Sequence, residues 1–121
     1  MTGYVIFAHG SSVESANEAV RVIAAQAAGA AGFQLYETAY LDCAHPTLAE
    51  AVSALASRGA TDIVVIPYFL TLGIHLQRDL PALVRALEAG TPGLRVRITP
   101  PLDGHPALSS IIVDRAREIS A

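Results

Sequence analysis

The chain has 121 residues, 52% of them apolar and only 6% aromatic, with a formal net charge of −3 and all eight cationic positions filled by arginine. That length suits one domain with a real core, and the acidic balance offers no basic, aromatic-studded surface for RNA or DNA. No stretch approaches the roughly 20 apolar residues that span a bilayer, no cationic region precedes an apolar one at the N-terminus, and a single cysteine excludes an internal disulfide, so a cytoplasmic protein is expected.

Tyr4 to Ala8 reads as a first strand ending in His9-Gly10-Ser11-Ser12. A helix follows from about Val13 to Ala31, with Ser11 or Ser12 as N-cap, Glu14 in its first turn, and Gly29 and Gly32 at its close. Residues 33–42 alternate as a second strand, polar enough for a sheet edge. Pro46 opens a helix to about Arg58, and Gly59 stops it. From Ile63 runs a short, β-branched, nearly unbroken apolar stretch, the pattern of a strand buried on both faces. From His75 onward Leu76, Leu80, Leu83, Val84 and Leu87 recur at helical spacing until Gly90 and Pro92-Gly93. Leu94 to Thr99 is a fourth strand, Pro100-Pro101 breaks it, and Pro106 starts a last helix to the C-terminus.

Four strand-helix units in a row predict an α/β fold: one doubly wound domain over residues 1–121, with a four-stranded parallel sheet and helices on both faces. No linker or low-complexity tract interrupts it. Each strand is followed by a histidine, namely His9, His45, His75 and His105, with Asp42 and Asp103 beside two of them. A parallel sheet puts all of these at its carboxyl edge, where open α/β folds bind ligands. Imidazoles with a carboxylate suit a divalent first-row metal or proton transfer near neutral pH.

Plainer roles compete for several of these residues. His45 and His105 each precede a proline at a helix start, where an imidazole can simply cap the turn. Ser11 and Ser12 read as caps and anion-binding donors, because no Gly-x-Ser-x-Gly elbow surrounds them. Cys43, next to Asp42 in an extended segment, is expected to point the other way, into the core. Arg78 lies in the first turn of its helix, where the dipole disfavours a cation unless an anionic ligand compensates. No Walker loop and no Gly-x-Gly-x-x-Gly follows any strand, which argues against nucleotide-driven and dinucleotide redox chemistry.

Phe7-Ala-His9-Gly-Ser11, Tyr40-Leu-Asp42-Cys-Ala-His45-Pro-Thr-Leu, Ile66-Pro-Tyr-Phe-Leu-Thr-Leu-Gly-Ile-His75-Leu-Gln-Arg78-Asp-Leu-Pro81 and Pro101-Leu-Asp-Gly-His105-Pro-Ala-Leu, in this order, resemble the short CbiX/SirB-type chelatases across essentially the whole chain. The resemblance implies ATP-independent insertion of Co²⁺ or Fe²⁺, with Ni²⁺ a further candidate, into sirohydrochlorin on the way to cobalamin or sirohaem. It implies a lyase-class enzyme without a permanently bound cofactor, and a homodimer, because long relatives carry two such domains in one chain. The family's two metal histidines fall on His9 and His75, and its frequent Glu on Asp42, which keeps the carboxylate one methylene shorter. His45 stands where the family often has Glu, and Ser12 where it often has Arg. Weak ligation by few imidazoles suits a metal that must be released, and neutral imidazoles can accept the two pyrrole protons. Ser11, Ser12, Gly73 at its helix start and Arg78 offer anchors for a polyacidic substrate. Two other readings remain: a non-catalytic metal or tetrapyrrole carrier, and a phosphohistidine phosphatase, whose usual Arg-His-Gly is Ala8-His9-Gly10 here.

Overall fold

A computed structural model describes residues 1–119. Strand and helix alternate: β1 (Thr2–Ala8), α1 (Glu14–Ala31), β2 (Leu35–Tyr40), α2 (Leu48–Ser57), β3 (Asp62–Pro67), α3 (Ile74–Gly90), β4 (Arg95–Ile98) and α4 (Ala107–Ile119). All pairings are parallel, in the order β2-β1-β3-β4. This is the α/β sheet expected from four successive strand-helix units, and the polar second strand does lie at an edge. The expected last helix runs to Ile119; its continuation to residues 120 and 121 falls outside the described residues.

The two faces of the sheet are covered unequally. Val5, Phe7, Ile63, Val65 and Val96 share one face and form the core with Ala51, Val52 and Leu55 of α2 and Leu80 and Val84 of α3. The alternate residues face α1, which sits over β2, where Tyr40 Oη donates to Asn17 O at 3.0 Å. Beyond the reach of α1 the cover thins. Val64 and Ile66 are only half-buried, so β3 alternates along its length instead of being buried on both faces. The apolar run of β3 reflects β-branched preference for a pleated surface as much as burial.

Local chemistry moves several boundaries. Phe33 N donates to Ala28 O at 3.0 Å and still belongs to the end of α1, while Tyr40 N donates to Pro46 O at 2.9 Å, so β2 is shorter at both ends than the alternation suggests. Neither Ser11 nor Ser12 is the N-cap of α1; that position is Val13, and Ser11 Oγ accepts from Val13 N at 3.0 Å in the preceding turn. α2 begins at Leu48 instead of Pro46 because Thr47 and Glu50 form a reciprocal capping box. Thr47 Oγ1 accepts from Glu50 N at 3.2 Å, and Glu50 Oε1 accepts from Thr47 N at 2.8 Å.

The hydrogen bond from Thr47 N–H, and next the one to the His45 ring, hold the Glu50 carboxyl below its ordinary value of 4.5. A depressed carboxyl stabilises the fold fully above that value and loses the contribution as pH falls through its folded pKa. Glu50→Gln is therefore expected to lower stability in denaturant melts at pH 6, and the gap to the parent protein should narrow as the pH falls below the ordinary carboxyl value of 4.5. A gap that does not change with pH would assign Glu50 no charged role. Thr47→Ala should cost about 1 kcal/mol.

Candidate functional site

Backbone hydrogen bonds continue past the strand ends and tie four connections into one rim. Leu41 N and Asp42 N donate to Ala8 O and His9 O, Tyr68 N to Phe7 O, and Leu102 N and Asp103 N to Phe69 O and Leu70 O. The rim keeps the strand order, so His9 and His75 follow the two central, directly paired strands. His45 and His105 follow the outer two.

The four histidines have different surroundings. His9 is exposed, lies edge-on to Phe69 at 6.3 Å, and has Nδ1 3.3 Å from Gly10 O. In the tautomer that donates from Nδ1 to this carbonyl, the Nε2 lone pair is left available to a metal or a proton. His75, in the first turn of α3, accepts a hydrogen bond at Nδ1 from Arg78 Nη2 at 3.1 Å. Its neutral ring then carries the proton on Nε2, and rotation of the exposed Arg78 side chain frees Nδ1. His105 Nδ1 accepts from Ala107 N at 3.0 Å and caps α4. His45 Nδ1 lies 2.7 Å from Glu50 Oε1 and supports the capping box of α2. Two histidines thus serve helix starts, and two stand at the centre of the rim.

Asp42 lies beside His9 through the Asp42 N to His9 O bond, and its Oδ1 accepts from Cys43 N at 2.8 Å. Cys43 corrects an expectation: it is exposed, with φ +63°, and not in the core. The extended conformation ends at Tyr40, so strand alternation no longer governs residues 42 and 43. Ser11 is clamped by Asn17, whose Oδ1 accepts from Ser11 N at 2.9 Å and whose Nδ2 donates to Ser11 O at 2.8 Å. Ser12 is exposed in the same turn, and Gly73 is the N-cap of α3. Among the described residues no three His, Cys, Asp or Glu side chains converge into a metal cage.

Sequence patterning missed two features. Asn17, 3% exposed, is the buried clamp that fixes the turn after His9, and nothing in helical periodicity marks it. The rim also exposes large apolar side chains: Leu41 (44%), Tyr68 (40%), Leu70 (67%) and Ile74 (79%). Their only signal is that apolar residues persist beyond the strand ends. Beside His9 a cleft of about 220 Å³ lies between Tyr68 and the Ala16-Asn17-Val20 side of α1. A larger depression, about 350 Å³, is lined by Arg21, Tyr36, Glu37 and Arg58 and contains none of the rim residues.

Gly10 allows the close approach of the His9 and Asp42 segments. Its φ is +89°, and a Cβ there would lie 1.9 Å from Asp42 O. Gly10→Ala must therefore push the two segments apart in addition to adopting an unfavourable backbone conformation. We expect a stability loss of about 1–3 kcal/mol in denaturant melts. A substitution that leaves stability unchanged would show that the rim is looser than this contact requires.

The family model described as CbiX matches residues 3–119. The sirohydrochlorin cobaltochelatase of Methanopyrus kandleri is 28% identical over 139 aligned positions, covering 98% of this chain and 96% of that protein. The chloroplastic sirohydrochlorin ferrochelatase of Arabidopsis thaliana is 30% identical over 113, covering 93% of this chain but 50% of that protein. Among solved structures, a cobalamin (vitamin B12) biosynthesis CbiX protein from Marinobacter aquaeolei superposes with a TM-score of 0.84 at 30% identity, covering 98% of this chain and 96% of that one. SirB from Bacillus subtilis with Fe³⁺ has the same fold, with a TM-score of 0.88 at 21% identity, over 99% of this chain and 48% of that one. The chain thus spans about half the length of the plant and Bacillus proteins and nearly all of the others. With the family model covering nearly every residue from β1 to the end of α4, this chain belongs to the CbiX family.

Proposed function

We propose that the protein inserts a divalent metal, Co²⁺ or Fe²⁺, into sirohydrochlorin without ATP, with His9 and His75 as metal ligands and proton acceptors. The observation that carries this reading is the placement of these two histidines on the rim after the paired central strands, beside an exposed apolar surface. The relatives named for sirohydrochlorin chelation support the substrate. The reaction exchanges two pyrrole N–H protons for one M²⁺. Each imidazole can ligate the ion weakly and then take a proton as the metal moves to the ring nitrogens. Asp42, adjoining His9, relays protons outward or raises imidazole basicity. Arg78 answers the substrate's carboxylates, together with Ser11, Ser12 and the α3 start at Gly73. When Arg78 turns to a carboxylate it releases His75 Nδ1, which links substrate binding to ligand availability. The metal is a substrate, and the reading requires no resident cofactor.

Each chain acts as one chelatase-like unit, the equivalent of half a double-length relative, and works as a homodimer in the cytoplasm. Ligand sites usually enclose about 300–1,000 Å³ and bury most of the ligand, whereas the cleft beside His9 holds only about 220 Å³. A second rim facing the first would cover the other side of a flat macrocycle, and twofold pairing is the commonest way to close such a site. A cytoplasmic location accords with the lone cysteine and with the absence, among the described residues, of a helix long and apolar enough to cross a membrane.

The test is to mix the protein with sirohydrochlorin and Co²⁺, Fe²⁺ or Ni²⁺ and follow the absorption spectrum of the ring. The parent protein should accelerate metallation, and His9→Ala or His75→Ala should slow it by roughly 100-fold or more while leaving the fold intact. Asp42→Asn should cost about tenfold in rate and less in metal affinity. Near-parental turnover in both histidine variants would overturn the assignment, and binding of either component without faster insertion would identify a carrier.

A further inference from the structure

Asn17 lies near the start of α1 but does not cap it. A capping asparagine stands at the N-cap and bonds forward to the helix's own N–H groups. Here the N-cap is Val13, and Asn17, further along, reaches back out of the helix. Its target is Ser11: Asn17 Oδ1 accepts from Ser11 N at 2.9 Å, and Nδ2 donates to Ser11 O at 2.8 Å. Asparagine is a poor residue for a helix interior, and a buried amide must find partners. At 3% exposure, Asn17 finds them in the turn that carries His9.

The amide is itself held in place. Nδ2 also donates to Glu14 Oε2 at 3.3 Å, Glu14 pairs with Arg21, and Arg21 Nη1 donates to Tyr40 Oη at 3.4 Å. The buried Tyr40 donates in turn to Asn17 O at 3.0 Å. This ring of contacts closes on Asn17 and joins α1 to the end of β2. Only one orientation of the amide offers an acceptor to Ser11 N and donors to Ser11 O and Glu14.

One peptide unit carries the effect to the imidazole. The Gly10–Ser11 peptide is trans, so its N–H and C=O point in opposite directions. Asn17 Oδ1 holds the N–H, and the C=O on the far side is Gly10 O, the group 3.3 Å from His9 Nδ1. Without that hold the glycine would let the plane turn. We propose that Asn17 is a positioning residue for His9. By holding the Gly10–Ser11 peptide it aims Gly10 O at the ring, keeps the proton of the neutral imidazole on Nδ1 and leaves Nε2 to the metal. A ligating histidine typically donates its other ring N–H to such a partner, and partners of this kind are worth roughly 10–100-fold in metal affinity. The proposal rests on His9 as a metal ligand and adds the residue that decides which nitrogen serves. It also restricts Ser11: its N–H is taken by Asn17 and its Oγ accepts from Val13 N at 3.0 Å, so the hydroxyl proton is what remains for an anionic substrate.

Ring-nitrogen NMR of the histidines in the full chain, at about pH 8 where imidazoles are largely neutral, reads the tautomer without any turnover, and His9→Gln identifies the His9 signals. In the parent protein His9 should carry its proton on Nδ1; a proton on Nε2 would overturn the proposal before any Asn17 variant is made. Asn17→Ala should lose that preference and bind Co²⁺, titrated alone, about tenfold more weakly. Asn17→Asp has the same shape and keeps an acceptor for Ser11 N, so it should hold the tautomer and recover most of the affinity. Thr47→Ala, destabilised at the start of α2, should change neither. Parental tautomer or parental Co²⁺ affinity in Asn17→Ala would overturn the proposal, as would an Asn17→Asp protein that behaves like Asn17→Ala or an equal loss in Thr47→Ala. If the tautomer and the Co²⁺ affinity depend on Asn17 but the parent protein does not metallate sirohydrochlorin, the proposed reaction falls and the positioning of His9 stands.

Discussion

The direct pairing of β1 with β3 at the centre of the sheet is the constraint on which the rest of the structure depends. Register aligns Ile6 with Ile66 and Phe7 with Pro67, and Tyr68 N carries the ladder one bond further to Phe7 O. Both strands therefore end at the same height, and the connections that bear His9 and His75 leave from adjacent points. β2 then sets Asp42 against His9 through one backbone bond, for which Gly10 provides the room. β4 plays the corresponding part on the other side through Leu102 and Asp103. In the proposed reaction these residues are placed by neighbouring strands and by the backbone hydrogen bonds of the rim.

This architecture leaves apolar surface uncovered in two places. At the rim, Leu41, Tyr68, Leu70 and Ile74 face outward around the histidines, a cluster suited to the flat face of a macrocycle. Over β3, Val64 and Ile66 are half-buried beyond the reach of α1, and Ile111, Ile112 and Ile119 of α4 are exposed. In the proposed homodimer a second copy would close the site above the rim.

The order of elements was legible because each strand is a short β-branched run and each helix has regular apolar spacing, closed by Gly32, Gly59 and Gly93. The parallel sheet followed from alternation alone. Boundaries were less legible where side chains compete with periodicity: Thr47 and Glu50 begin α2 later than Pro46 suggests, and the turn at residues 41–43 ends β2 before alternation does. That same turn exposes Cys43, which strand parity had placed inside. The histidines could be located on the sheet edge, but their separate surroundings could not, since they depend on partners such as Arg78, Glu50 and Ala107 N. Asn17 was invisible because a buried polar clamp inside a helix leaves no periodic trace.

The central claim is that His9 and His75 together hold the metal before it passes to the ring. Extended X-ray absorption of the Co²⁺-loaded protein, compared with His9→Ala and His75→Ala, reads this directly. The account predicts scattering from two imidazoles per cobalt in the parent protein and from one in each variant. A first shell with sulfur from Cys43, or one that keeps two imidazoles after either substitution, would contradict it.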